Sequence, residues 1–259
     1  MNSPSITSVL VTGSAGFLGQ ALVATLAEAG IKVRGLDVVQ GPAFSAGLPV
    51  ESVVGDVSDA AVVARACEGV DALVIAHMAP NRPGVYASAT LPFDINVKGV
   101  ALLFEQAVRQ GIRRVVLISS IAVVDGYRAE NIRLTLALPA RPISPYGLTK
   151  ACQEEIANYH HRVAGLSVAI LRPAYVTDAD TLTDKYGRHR PTVNWQCVDR
   201  RDVAGATLAA LRAPELKSGC YYIHGHPDAV NKLETGPTVE ELGWAPKYDF
   251  SEYTTDAPA

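Results

Sequence analysis

Tyr146 and Lys150 stand four residues apart in Tyr146-Gly147-Leu148-Thr149-Lys150. On a helix that spacing puts a phenol and an ammonium side by side on one face. A free tyrosine loses its proton only near pH ~10, and a neighbouring cation favours the phenolate, so the pair is suited to moving a proton near neutral pH. Upstream, Val115-Val116-Leu117-Ile118 runs into Ser119-Ser120. Consecutive strand residues point to opposite faces, so one serine faces a reacting group and the other turns inward. Ser120 is expected to face the site and Ser119 to satisfy local backbone groups. Nearer the N-terminus, Thr12-Gly13-Ser14-Ala15-Gly16-Phe17-Leu18-Gly19 has the spacing of a dinucleotide-binding turn. Gly13 permits the tight turn, Gly16 lets the backbone approach phosphate, and Gly19 lets a helix pack closely on a strand. The free N–H groups around Phe17 and Leu18 would then face the negative charge.

Positioning these groups needs a sheet with helices on both faces. Apolar, β-branched runs alternate with helix-period segments to about residue 225, the pattern of an α/β, Rossmann-like, doubly wound parallel sheet. Strands are expected near 6–12, 31–37, 50–54, 71–76, 112–119, 166–172 and 219–224, and helices near 16–29, 58–68, 92–110, 144–164 and 201–212. Ser58, Ser144 and Asp199 read as N-caps, and Gly30, Gly111 and Gly165 as left-handed C-caps. The irregular stretches 38–49, 77–91, 121–143 and 174–198 leave from the carboxyl ends of strands, where an open α/β sheet binds its ligand. Residues 1–172 are expected to form the cofactor-binding domain with the catalytic residues. Residues 173–259 then supply a small, discontinuous C-terminal substrate-binding region, with 199–224 returning to the Rossmann core.

Asp37 closes the second expected strand, eighteen residues past Gly19, where a carboxylate can accept the adenosine ribose hydroxyls. It would repel a 2′-phosphate, and Val38 and Val39 offer no cation for one, so NAD is favoured over NADP. Arg34, an odd number of positions away, should point to the other face. Asp56-Val57 follows the third strand and is placed to meet the adenine, although Gly55-Asp56 is also a good turn pair.

Composition narrows the classes. The 259 residues are 48% hydrophobic, enough for a sizeable core, and 26 acidic against 23 basic residues leave a net charge of −3. Neither a nucleic-acid surface nor an anionic-membrane surface is expected. Cys67, Cys152, Cys197 and Cys220 lack metal or redox spacing and read as reduced and mostly buried, and no metal site is expected from His224 and His226. No signal-like N-terminus and no long apolar stretch occurs, so the expected location is cytoplasmic.

Taken together, Thr12-Gly13-x-x-Gly16-x-x-Gly19, Asp56-Val57, Asn96-Val97-x-Gly99, Ser119-Ser120-Ile121-Ala122-Val123, Ser144-Pro145-Tyr146-Gly147-x-Thr149-Lys150 and Leu171-Arg172-Pro173 resemble the extended short-chain dehydrogenase/reductase superfamily. That group comprises NAD-dependent sugar epimerases, dehydratases and dehydrogenases, and the resemblance covers roughly residues 6–224. It implies that Tyr146 is the general acid/base, that Lys150 also holds the nicotinamide ribose, and that Ser120 hydrogen-bonds the reacting oxygen. Ala76, His77, Met78, Asn96 and Pro173 fall at cofactor-pocket positions, and Ile121 beside the substrate. A homodimer through the helices at 92–110 and 144–164 is also implied. The chain departs from the pattern at Val123-Val124-Asp125-Gly126-Tyr127, where Val-Tyr-Gly is common, at Ala76-His77-Met78-Ala79-Pro80, and in its short C-terminal region.

Among compact members the chain is most similar to hexuronate dehydrogenases, which oxidise a sugar acid at its anomeric carbon. Arg190, five residues before Trp195, and the closing Leu242-Gly243-Trp244-Ala245-Pro246-Lys247 carry that likeness. An arginine fork suits a carboxylate, so Arg188 and Arg190 are the expected substrate contacts. The reading is an NAD-dependent oxidoreductase taking hydride from a sugar or sugar-acid hydroxyl. An epimerase or dehydratase that retains its cofactor, and a dinucleotide-binding sensor without chemistry, are the alternatives.

Overall fold

The computed structural model describes residues 6–42, 47–82, 85–217 and 219–253. Seven parallel strands form the central sheet: β1 (Ser8–Thr12), β2 (Lys32–Asp37), β3 (Val50–Val54), β4 (Ala72–Ile75), β7 (Arg114–Ile118), β8 (Ser167–Pro173) and β12 (Cys220–Ile223), in spatial order β12-β8-β7-β4-β1-β2-β3. Between β4 and β7 the chain adds a short hairpin, β5 (Asn81–Arg82) and β6 (Val85–Tyr86). After β8 it builds a second small sheet, β10-β9-β11, from β9 (Tyr175–Asp178), β10 (Thr183–Asp184) and β11 (Cys197–Asp199). All seven expected sheet strands are present, and the doubly wound architecture is as anticipated.

Alternation along the strands divides the core. Val9, Val11, Val74, Val116 and Ile118 pack on one face with α1 (Phe17–Glu28) and α6 (Arg200–Arg212). Leu10, Leu73, Ile75, Val115 and Leu117 pack on the other with α2 (Ala60–Cys67), α3 (Gly99–Arg109) and α5 (Pro145–Ala164). Because both faces are covered, the central strands read as continuous apolar runs rather than alternating ones.

Capping follows the sequence closely. The Ser144 hydroxyl accepts the Gly147 N–H at 3.1 Å, Asp199 accepts the Arg201 N–H at 2.7 Å, and Gly165 closes α5 at φ +67°. The α2 cap is a correction: Asp59, rather than Ser58, accepts the Ala61 and Val62 N–H groups. Ser58 instead donates its own N–H to Asp56, which pulls it out of the capping position. The closing segment clamps α6, with Trp244 buried beside Gly205 and Asp202 accepting the Lys247 and Tyr248 N–H groups at 2.8 and 3.0 Å. Three further short helices complete the fold, α4 (Asp125–Ala129), α7 (Ala229–Lys232) and α8 (Gly236–Leu242). Among the described residues no helix is long and apolar enough to cross a membrane.

Register brings the functional ends level. Thr12 pairs with both Leu36 and Ile75, Leu117 with Ile75, and Ile118 with Leu171. The carboxyl ends of β1, β2, β4, β7 and β8 therefore open onto one edge, and the strand order reverses between β1 and β4. That is where a crevice forms in this architecture.

Candidate active site

The glycine turn joins β1 to α1. Gly13 sits at φ +71°, and a side chain there would strike the His77 backbone, with Cβ 2.7 Å from Cα of His77. A methyl at Gly19 would overlap the Gly13 carbonyl, 2.8 Å from its carbon. At Gly16 the nearest atom stands 3.3 Å away, so the fold itself tolerates a small group there. Gly35, on β2, admits Ser14 in the same manner, since a Cβ would lie 2.7 Å from the Ser14 hydroxyl. Helix α1 has neither a side-chain cap nor an acidic residue in its first turn. The leading N–H groups of Phe17, Leu18 and Gly19 thus lack intrahelical partners and favour an anion.

Asp37 stands at the end of β2, where one carboxylate oxygen accepts the Ala15 N–H at 3.0 Å and ties the strand to the glycine turn. Val38 and Val39 beside it are exposed. As expected, Arg34 points elsewhere, to Glu51 at 2.9 Å and to the Ala66 and Glu68 carbonyls. Asp56 is exposed and closes its own turn by accepting the Ser58 N–H at 2.8 Å, while Val57 is buried against Gly99. Gly99 is needed there because a Cβ would lie 2.9 Å from Val57 and 3.1 Å from His77 Nε2.

His77 and Asn96 are tied into the framework. The His77 ring is buried; Nε2 meets the Ile95 carbonyl at 3.1 Å and therefore carries the hydrogen, so Nδ1 accepts from the Thr12 hydroxyl at 2.8 Å. Burial, reinforced by the Lys150 charge, pushes the ring down to about 4, and it stays neutral. Asn96 lies in a π-helical stretch, Phe93–Lys98, that leads into α3. Its Oδ1 accepts the Ala79 N–H at 2.6 Å, and its amide donates to Thr149 Oγ1 at 3.0 Å. Gln153 donates to its carbonyl at 2.7 Å. These bonds join the loop after β4 to α5. Ala76 is partly exposed beside His77, and Pro173 is buried at the end of β8.

Ser120, Tyr146 and Lys150 converge. The Ser120 hydroxyl lies beside the Tyr146 phenol, and its oxygen accepts the Ala122 N–H at 3.1 Å. Ser119 turns inward, donating to Glu154 at 2.5 Å, and Glu154 holds Arg172 through two bonds of 2.9 and 2.7 Å. Strand alternation turns the two serines to opposite sides as expected, but the partner of Ser119 is the Glu154 carboxylate rather than local backbone groups. Ile121 and Ala122 are buried beside Ser120, and Tyr127 lies under Arg141, whose guanidinium is 5.1 Å from its ring.

One expectation is modified. Lys150 Nζ donates to the Ile118 carbonyl at 2.7 Å and stands 6.0 Å from the Tyr146 ring centroid. Burial, together with the charge of Lys185, pushes Lys150 down to about 7. Burial also raises the Tyr146 phenol above its ordinary range, outweighing the Ser120 hydroxyl that lowers it. Burial thus disfavours the charged form of both groups, and for Lys150 it outweighs the opposing charge of Glu154.

The family model that matches residues 9–177 is the NAD dependent epimerase/dehydratase family. The chain belongs to that family. A uronate dehydrogenase from Pseudomonas syringae pv. tomato is 34% identical over 248 residues, covering 94% of this chain and 82% of its own. Sterol demethylase protein B from Methylococcus capsulatus is 34% identical over 220 residues, 79% of this chain and 66% of its own length. This chain therefore spans just under two thirds of that relative. Among solved structures, a short-chain dehydrogenase/reductase superfamily protein from Agrobacterium tumefaciens with bound NAD has a TM-score of 0.80 at 25% identity, covering 94% of this chain and 93% of that one. A uronate dehydrogenase from the same organism has a TM-score of 0.76 at 25% identity, covering 98% and 92%. The resemblance drawn from the motifs is thereby shown. The cofactor named in the family description matches the uncapped helix and the acidic strand end described above.

Motif reasoning missed the residues that close the far side of this family member's crevice. Lys185 Nζ is 5.7 Å from the Tyr146 ring centroid and 4.7 Å from that of Tyr186. It reaches Met78 Sδ at 3.2 Å and Asn81 Oδ1 at 3.3 Å, and the Tyr186 hydroxyl donates to the same Asn81 oxygen at 3.0 Å. Arg188 is paired with Asp184 at 2.7 Å and donates to the Tyr175 hydroxyl at 2.7 Å, while Arg190 lies over the Tyr175 ring at 5.0 Å. The available signal was the turn-forming run Asp184-Lys185-Tyr186-Gly187 inside a loop already recognised as a wall of the site.

Proposed function

We propose that this protein is an NAD-dependent dehydrogenase that oxidises a hydroxyl of a sugar acid, with a hexuronate as the favoured class. The observation that carries the reading is the convergence of Ser120, Tyr146 and Lys150 at the carboxyl edge of the sheet, with Lys150 Nζ 6.0 Å from the Tyr146 ring centroid and one helical turn along α5. Gly13, Gly16, Phe17, Leu18 and Gly19 receive the pyrophosphate of NAD, and Asp37 the adenosine ribose. Asp56 and Val57 flank the adenine. Ala76, His77, Met78, Asn96 and Pro173 shape the rest of the cofactor pocket, with His77 and Asn96 acting through the framework they hold together. When bound, NAD supplies the hydride acceptor.

In the forward direction Tyr146 takes the proton of the substrate hydroxyl and Ser120 holds the oxygen on which charge develops. Lys150 favours the Tyr146 phenolate and holds the nicotinamide ribose. Ile121, Arg188 and Arg190 complete the substrate wall. Residues 1–172 carry cofactor and catalysis, and 173–259 supply the substrate side, apart from 199–224, which belong to the core. Exposed apolar side chains on the outer faces of the π-α3 and α5 helices, Phe93, Val108, Leu148, Tyr159 and Val163, support a homodimer formed through them. A cytoplasmic location accords with the reduced state of the four cysteines.

The test is a screen for NADH formation from NAD⁺ with hexuronates, neutral aldoses, nucleotide sugars and sterols. Net NADH with hexuronates supports the reading. Product formation without net NADH assigns the protein instead to cofactor-retaining epimerases or dehydratases. The cationic group facing Tyr146 favours an acid over a neutral sterol, despite the sterol-related relative.

A further inference from the structure

Three cations stand on the substrate side of Tyr146, and they differ in what already neutralises them. Arg188 is spent on Asp184 and the Tyr175 hydroxyl, and its guanidinium lies 4.9 Å from the Tyr186 ring centroid. Arg190 lies over the Tyr175 ring, 5.0 Å from its centroid. Lys185 faces the catalytic ring directly. Among the described residues its ammonium meets a thioether, one amide oxygen and two aromatic faces, and no carboxylate lies within ion-pair distance of it.

Its position is built rather than incidental. The Asp184 side chain, 1% exposed, accepts the N–H groups of Tyr186 and Arg188 at 2.8 and 3.0 Å and the Tyr175 hydroxyl at 2.7 Å. Gly187 takes φ +72° to complete the turn. The neighbouring carboxylate is thereby consumed in shaping the backbone, and Lys185 is projected over Tyr146.

We propose that Lys185, supported by Asn81 and Tyr186, is the residue that receives the carboxylate of the substrate. The assignment rests on the sugar-acid reading above and moves the principal anion contact from Arg188 and Arg190 to Lys185. A carboxylate completes the donor demand that sulfur and one amide oxygen leave unmet, and places the substrate hydroxyl on the same side of the cleft as the Tyr146 phenol. Loss of water around the ammonium, with Arg188 adding to it and Asp184 opposing, brings Lys185 down to about 8, so it is still charged at neutral pH.

The experiment compares wild type with Lys185→Gln, Lys185→Arg and Arg188→Gln, using glucuronate and galacturonate beside glucose and galactose, with NAD affinity measured in parallel. Lys185→Gln is expected to lower kcat/KM for the acids by about 10- to 100-fold, chiefly through KM. Because the Lys185 charge also acts on Lys150, activity on both classes can shift together, so the decisive reading is the acid-to-aldose ratio of kcat/KM, which should fall at least about tenfold and be largely recovered by Lys185→Arg. Equal losses on acids and aldoses, or an acid-selective loss that follows Arg188→Gln instead, overturn the assignment. If wild type oxidises the acids and Lys185→Gln does so equally well, only the assignment fails. If wild type oxidises neither class, the sugar-acid reading fails and the assignment with it.

Discussion

Replacing Gly16 or Gly19 by alanine separates folding from cofactor binding. At Gly19 the new methyl would overlap the Gly13 carbonyl and approach Ser14 backbone at 2.9 Å, contacts that exist whether or not a ligand is present. The helix start must then move, and overpacking of this kind costs about 1–3 kcal/mol. Gly19→Ala should therefore unfold at lower denaturant concentration and also bind NAD about 5- to 150-fold more weakly, the range that the same energy represents if the turn is displaced. At Gly16 the nearest atom among the described residues is the Gly13 oxygen at 3.3 Å, and the residue is exposed at the start of α1. Gly16→Ala should leave stability within about 0.5 kcal/mol of wild type, while NAD affinity falls because the methyl occupies the phosphate approach. Chemical denaturation monitored by fluorescence, paired with NAD titration by calorimetry, measures both effects. Equal NAD affinity for Gly16→Ala and wild type would refute the phosphate role of this turn.

Other expectations follow from the groups around the site. Asp37→Ser should weaken NAD binding about tenfold and narrow the preference over NADP, read from KM for the two cofactors; unchanged discrimination would count against the ribose contact. Glu154→Gln should destabilise the fold by about 3 kcal/mol, because it leaves Arg172 buried without its counter-charge; a thermal melt matching wild type would contradict that. His77 is held neutral at about 4 against an ordinary 6.5, so below pH 6.5 the unfolded chain binds a proton that the folded ring refuses. Stability should accordingly fall as pH drops from 6.5 to 4, by about 3 kcal/mol in total. His77→Gln should flatten that part of the profile in denaturation curves taken across the range.

The sheet was legible because central strands buried on both faces need unbroken apolar runs, as in Ala72–Ile75 and Arg114–Ile118. Ser119, Ser120, Tyr146 and Lys150 were legible because strand alternation and helical spacing follow from local geometry. The strands of the second sheet were not, since Thr183–Asp184 and Cys197–Asp199 are too short to show a period and depend on pairing with β9. Lys185 was hidden for a related reason: its placement comes from a turn organised by Asp184 and from Asn81, more than a hundred residues away in sequence. The shift of the Tyr146 phenol away from the phenolate was also out of reach. Residue spacing shows that a lysine is near, whereas the depth of burial of both groups decides which protonation state prevails.

The central claim is that Tyr146 moves the proton in an NAD-linked oxidation. Its most direct test is the rate of NADH formation from a hexuronate by wild type and Tyr146→Phe at saturating NAD⁺, with NAD binding measured on both. The account predicts turnover in the wild type, unchanged NAD affinity in the variant, and a loss of kcat of about 100-fold or more. A Tyr146→Phe protein that binds NAD and turns over within a few-fold of wild type would contradict it.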